Sequence, residues 1–329
     1  MNYNHNFNYN YYNNQAMNIF QKNYEGGKIF WRGNATGAAM LFFLGGFYAF
    51  GIIGMIIMRL IGASTPGDFW MFQFLFMMFV MTLPFLLGPL IMREKLINLL
   101  PFNKVPLIFF IILVVMQLGV GYAGSFVSVF FNFIFESVTG VEPSAPGFSN
   151  IPGGLYGRIF YILTIAAAPA LAEEFAFRGI ILGALRKYGN MNAIVISSLL
   201  FGLMHGNMRQ IPFTFIFGLA MGLATVLSNS LWPAIVAHFL NNFFVGMLGI
   251  ASDEFGNMVM VPYVLFMLMM IVAGISALIY LMIKYWSWLK YQGALCYNHW
   301  GKRFALLMVN PCMLIAMIVL LTQAALSLL

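Results

Sequence analysis

Two glutamates stand side by side in the stretch LAEEFAFRGI, residues 171–180, and an arginine follows four positions after the second. Glu174 and Arg178 share a helix face at that spacing and can pair. Glu173 is turned about 100° from Glu174. It is left without an intrahelical partner and is available as a general base that takes a proton from water. Two further apolar stretches carry polar residues. FGLMHG contains His205, and HFLNN contains His238 and Asn242, again four apart and on one face. An imidazole and an amide NH2 on one face can hydrogen-bond a developing oxyanion. Base and oxyanion donors are the parts a hydrolase needs.

These residues lie in a chain that is 62% hydrophobic and 8% charged over 329 residues, with a mean hydropathy of +0.88. Soluble domains carry about 25% charged residues, so a water-soluble fold is excluded. Apolar runs long enough to cross about 30 Å of hydrocarbon recur along the chain. They are continuous rather than alternating, which excludes a membrane β-barrel. The expected fold is all-α, a polytopic transmembrane bundle of about nine spans (eight or nine). The helices are read at 36–58, 69–92, 105–134, 159–185, 191–208, 211–228, 231–250, 258–283 and 304–327. The third is long enough to tilt strongly. The fifth to seventh are short and closely spaced, which suggests a compact inner bundle. Residues 1–35 read as an Asn/Tyr-rich N-terminal tail, disordered or interfacial at its start, with His5 as part of its composition. Residues 36–329 read as one membrane domain with a catalytic core at 155–250.

The net charge of +7 does not point to nucleic acid. With the N-terminus cytoplasmic, the inner segments hold Lys22, Lys28, Arg32, Arg93, Lys95, Lys104, Arg186, Lys187, Lys284, Lys290, Lys302 and Arg303, and the outer ones only Arg59, Arg158 and Arg209. That is the positive-inside bias. It assigns the loops at 186–190 and 284–303 to the cytoplasm. Cys296 and Cys312 have no metal-like spacing and form no disulfide framework. The 25 methionines read as packing and lipid-facing residues. The acidic pair in ASDEFGN, Asp253 and Glu254, reads as a solvated loop. No internal repeat of the kind found in many transporters is visible.

Counted along their helices from the inner loops, Glu173, His205 and Asn242 lie at comparable depths, roughly 18–23 Å. Each has a bland explanation alone: a buried structural ion pair, a packing histidine. Charged groups at membrane depth are functional by default, and their convergence on one level from three helices marks a site.

The same residues resemble a known family. EEFAFR, FGLMH and HFLNN are similar to the three motifs EExxxR, FxxxH and HxxxN of the CAAX-protease and bacteriocin-processing family of intramembrane proteases, also called the type II CAAX prenyl endopeptidase or Abi family. The matching residues are Glu173, Glu174 and Arg178, then Phe201 and His205, then His238 and Asn242. The intervening helix and its Leu-Trp-Pro lead-in to the last motif look like family members too, and the resemblance covers about 155–250. It implies a membrane-embedded endopeptidase acting on membrane-embedded or lipid-associated peptides. Glu173 would activate water with His205, His238 and Asn242 would stabilise the oxyanion, and Glu174, Arg178 and Phe201 would support the site. Metal-free hydrolysis is favoured, since no HExxH is present and Glu173 cannot easily be both ligand and base. Zinc on Glu173, His205 and His238 is the alternative. Two other functions stand beside the protease: a non-catalytic immunity or scaffold protein, and a proton-coupled transporter using Glu173 as carrier. A multi-pass protein of a bacterial inner membrane, among membrane lipids, is the expected setting.

Overall fold

The computed structural model describes residues 5–61, 66–143, 151–294 and 296–328. The side chains of His5 and Lys290 lie outside the described residues. The described residues form ten helices: α1 (His5–Ile61), α2 (Pro66–Leu86), α3 (Leu107–Thr139), α4 (Gly154–Tyr188), α5 (Asn190–Met204), α6 (Ile211–Ser228), α7 (Trp232–Phe255), α8 (Met260–Ala294), α9 (Trp300–Met308) and α10 (Pro311–Leu326). Two single turns, Gly88–Ile91 and Leu96–Leu99, connect α2 to α3. Among the described residues there is no strand, only one isolated bridge between Phe102 and Ser230.

The boundaries follow local chemistry. Pro212, Pro233 and Pro311 sit in the first turns of α6, α7 and α10, where a missing N–H leaves no hydrogen bond unmade. Gly140 and Asn229, both left-handed, end α3 and α6. At the kink between α9 and α10 the helices turn by 72°. There Asn310 accepts from Met313 N and donates to Leu307 O at 2.8 Å, capping both broken ends.

Each of the nine expected segments contains helix, but 191–208 ends at Met204 and 304–327 is broken between Met308 and Pro311. Among the described residues, six helical runs are long and apolar enough to cross a membrane, or seven with the bent α9–α10 pair counted as one span. The difference from nine has two sources. At 15 residues α5 is too short to qualify. In addition, Trp232–Leu289 passes as a single run, although the 3-10 turn Gly256–Val259 divides it into α7 and α8. Asp253 and Glu254 stand on the last turn of α7 rather than in a loop, and Glu254 pairs with Arg158.

The start of the chain also differs from the disorder its composition suggested. It is helical from His5, and from Ile29 onward one face of α1 is buried, with Ile29, Ala39 and Met40 fully enclosed. The reason lies in Gly33 and Gly37. A Cβ at either would collide with backbone at Leu307 or around Met313, so α1 crosses α9 and α10 at backbone contact, the close approach that small residues four apart permit.

Helices α4 to α7 form the interior. Helices α1, α2, α9 and α10 cover one side, while α3 and α8 cover the other. The largest continuous core runs through α4, α5 and α6. The outward faces of α3 and α8 expose large apolar side chains such as Phe130, Leu265, Val272 and Ile283, which suit contact with lipid. The basic residues sort to the two ends of α4. At its C-terminal end Arg32 and Lys187 both reach Glu94, and Arg186 reaches Asn229. At the other end Arg158 meets Glu254, and Arg209 meets Glu142 and the Pro143 carbonyl.

Candidate active site

Helix α4 is irregular where it carries the glutamates. Two π-helical turns, Leu163–Ala167 and Phe175–Ile181, flank the segment Ala168–Glu174. Proline explains part of this. In a regular α-helix the carbonyl of Ile165 would accept from residue 169, which is Pro169 and has no N–H. A freed carbonyl in a bundle interior needs another donor. It finds one on a different helix: Asn242 of α7 donates from Nδ2 to Ile165 O at 3.0 Å. Thr164, one residue earlier, sets its hydroxyl 2.9 Å from the Trp70 carbonyl of α2. The first wide turn thus ties α4 to both neighbours ahead of Glu173.

Glu174 and Arg178 pair as their spacing predicts. Arg178 Nη1 donates to Glu174 Oε1 at 3.0 Å, and both side chains are completely buried. Arg178 also donates from Nη2 to the Gly218 carbonyl of α6 at 3.3 Å, and its guanidinium lies 4.2 Å over the ring of Phe201. Sequence spacing did not reveal a third partner. His238 Nδ1 lies 2.8 Å from the same Oε1 of Glu174. A carboxylate paired with arginine only accepts, so Nδ1 carries the proton and Nε2 is the nitrogen left for the site.

His205 is fixed in the same way. Its Nδ1 lies 2.9 Å from the Phe201 carbonyl, and a carbonyl also only accepts, so again Nε2 remains. Phe201 is the common platform. Its ring stands edge-on to His205, His238 and Phe177, with centroids 5.0, 5.9 and 5.4 Å away. Glu173 is buried, and its Oε2 has no hydrogen-bond partner.

These groups surround a chamber of about 190 Å3. Glu173 of α4, His205 at the end of α5, and His238 and Asn242 of α7 all line it, so the four residues expected to meet do meet. Its apolar wall is Ile165, Phe213, Phe217 and Val245. Glu174 and Arg178 stand behind the chamber rather than in its lining. Asn241 also lines it and donates from Nδ2 to Asn242 Oδ1 at 2.9 Å. Sequence reasoning missed Asn241, since adjacent helical positions point in different directions and the spacing singled out Asn242 as sharing a face with His238. It also missed Gln210 and Thr214 at the start of α6. Pro169 was the signal that would have found the freed carbonyl of Ile165.

The zinc ligands considered from sequence were Glu173, His205 and His238. Both histidines have the anchored Nδ1 and free Nε2 of a metal-binding imidazole. Among the described residues, however, no three His, Cys, Asp or Glu side chains are grouped closely enough to hold one ion.

Residues 156–244 match the family model described as type II CAAX prenyl endopeptidase Rce1-like. The membrane-embedded CAAX protease MroQ of Staphylococcus aureus (strain USA300) is 33% identical to this chain over 101 residues, which are 29% of this chain and 41% of that protein. This chain therefore spans less than half the length of the curated relative it matches. No solved structure matches it. The resemblance to the CAAX-protease and bacteriocin-processing family holds on the segment that carries all three motifs and builds the chamber.

Proposed function

We propose that this multi-pass membrane protein is an intramembrane endopeptidase that hydrolyses peptide bonds of membrane-associated substrates with water activated by Glu173. One observation carries the reading. A buried carboxylate, two imidazoles each with Nε2 free, and a pair of amides line one small chamber inside the helical bundle.

Charge balance suggests how the parts are poised. Glu173, Glu174 and Arg178 together leave one negative charge in a water-poor interior. One added proton makes the set neutral, and it can reside on Glu173 or on His238. With the proton on His238, the imidazolium presents Nε2–H as an oxyanion donor while Glu173 is an ionised base. Glu174 then faces two cations, Arg178 and His238, on one oxygen.

In this state Glu173 takes a proton from water, and His205 Nε2 accepts the second hydrogen and orients the molecule. The oxygen attacks the peptide carbonyl carbon. The oxyanion accepts from His238 Nε2–H and from the remaining amide hydrogens of Asn241 and Asn242. Collapse of the tetrahedral intermediate breaks the C–N bond, and the proton held by Glu173 passes to the departing amine. Glu173 is then ready for another water. The protein named in the comparison is a CAAX protease, and by likeness to it we infer CAAX-type peptide hydrolysis in a bacterial inner membrane.

The test compares peptide termini in cells expressing the wild-type chain or Glu173→Gln. New termini that depend on Glu173, reproduced with purified protein and a synthetic peptide, support the assignment. Equal termini in both strains, with both proteins present at equal level, overturn it in favour of a scaffold or carrier.

A further inference from the structure

A second cavity, about 760 Å3, opens at the basic end of the bundle, where α5 and α9 begin. It lies at the C-terminal end of α4, whereas the chamber is in the interior, and the two share no lining residue. Its lining contains Lys22, Lys302, Arg303 and His299 and no carboxylate. The nearby Glu25 is already engaged, accepting from the backbone N–H groups of Tyr297 and Asn298 and from the Asn298 amide.

Arg303 is the central observation. It is 3% exposed, Nη1 donates to the Tyr188 carbonyl at 3.0 Å, and Nε is buried with no hydrogen-bond partner. A buried guanidinium N–H without an acceptor is costly, and the side chain that carries it lines an open cavity. Gly189 makes the arrangement fit. Its φ of +119° turns the chain sharply into α5, and a Cβ there would lie 3.1 Å from Arg303 Nη1. With glycine as its N-cap, α5 has no capping side chain. The first N–H groups of a helix have no intrahelical acceptor, and here they begin at Asn190 and Met191, which line the cavity. His299 caps α9 by accepting from Gly301 N on Nδ1, so its proton sits on Nε2. The donors on this cavity are cationic side chains and an uncapped helix start; the ligand they fit is an anion with several acceptor oxygens.

We propose that this cavity is a binding site for a phosphate group, held by Arg303 and the start of α5 and neutralised by Lys22 and Lys302. Tyr297 and Trp300 border the cavity and are about half exposed, and aromatic residues of this kind favour the headgroup level of a bilayer. The headgroup of an anionic phospholipid therefore fits best, with a soluble phosphate compound as the other source of the same chemistry.

The test uses the purified full chain in a neutral detergent and follows its melting temperature. Short-chain phosphatidic acid, short-chain phosphatidylcholine and inorganic phosphate are titrated separately. Phosphatidic acid should raise Tm in a saturable way by several degrees, and phosphatidylcholine should not. The Lys22→Gln/Lys302→Gln variant removes two exposed charges without touching the buried Arg303, and should weaken the apparent affinity at least tenfold. Lys28→Gln/Lys284→Gln, with the same change in net charge elsewhere, should leave it intact. Saturable stabilisation by inorganic phosphate, lost in the first variant only, would keep the phosphate site and assign it to a soluble ligand. No stabilisation by either phosphate probe, or equal loss in both double variants, overturns the proposal.

Discussion

Arg178 and Arg32 both pair with a glutamate, but in different surroundings. The Arg178–Glu174 pair is wholly buried, and its glutamate oxygen is shared with His238 of another helix. The Arg32–Glu94 pair lies at the end of the bundle, where the side chains are 10% and 23% exposed and Lys187 adds a second cation from a third segment. Buried charge needs every partner, because one partner removed leaves an ion in a medium that cannot solvate it. Peripheral charge can lose a partner to water and salt. The interior is therefore where single substitutions should have sharp and separable consequences.

The largest expected effect is on chemistry alone. Glu173→Gln removes the base and keeps the size. Single-turnover cleavage of an identified peptide should fall by at least about 10²–10⁴, while Tm in detergent stays near that of wild type. Glu173 takes no part in the Arg178 pair, so a large loss of stability in this variant would erase the distinction drawn between the two glutamates.

The next effect is on stability. Glu174→Gln leaves Arg178 without its counter-charge and His238 with only a neutral amide oxygen as acceptor, and should cost about 3–5 kcal/mol. Arg178→Met should do likewise. The double variant Glu174→Gln/Arg178→Met, with no unpaired charge, should recover part of the Tm yet stay well below wild-type activity, because no carboxylate then supports a charged His238. Full activity in the double variant would mean that the charge of Glu174 does not act through His238.

A smaller effect tests the link between α4 and α7. Asn242→Ala leaves the Ile165 carbonyl without a donor, a loss of about 1–3 kcal/mol. Pro169→Ala supplies a backbone N–H nearby, so the same Asn242→Ala change should cost at least about 0.5 kcal/mol less in that background. Equal losses in both backgrounds would separate Asn242 from the proline.

The smallest effect belongs to the periphery. The hydrogen bond from Lys187 foremost, then the charges of Lys187 and Arg32, hold the Glu94 carboxyl below the usual carboxylate range against its partial burial. A folded-state value below the unfolded one contributes stability above the unfolded pKa of about 4.5 and loses it as the pH falls through the folded value. Glu94→Gln should therefore lower stability slightly at pH 7, by no more than the about 1 kcal/mol of a surface pair. That gap should close as the pH falls through the folded value of Glu94 and shrink in high salt. A gap that persists in acid would mean that Glu94 acts by packing.

The sequence made the interior legible where polarity contrasted with its surroundings. Two glutamates, an arginine and two histidines stand out in apolar helices, and the four-residue spacing of Glu174 and Arg178 is enough to pair them. Spacing carries no information between helices, so the bond from His238 to Glu174 was hidden until α4 and α7 were seen to cross. Pro169 pointed to an unsatisfied carbonyl but not to the donor that satisfies it. The helical start of the chain was masked by its asparagines and tyrosines, whose composition outweighed the Gly33–Gly37 spacing that lets α1 pack.

The wide turns of α4 constrain how this helix can change length over evolutionary time. Each holds one residue more than the α-turn it replaces. Deleting one residue from Leu163–Ala167 and closing it to an α-turn would leave the flanks of α4 facing much as they do, because the wide turn absorbs its extra residue locally. Deleting one from the regular stretch Ala168–Glu174 would instead turn Glu173 by about 100° relative to Thr164, so that Thr164 could face the Trp70 carbonyl or Glu173 the chamber, but not both. Homologous chains should therefore carry any single-residue gap within the wide turns and none between Ala168 and Glu174.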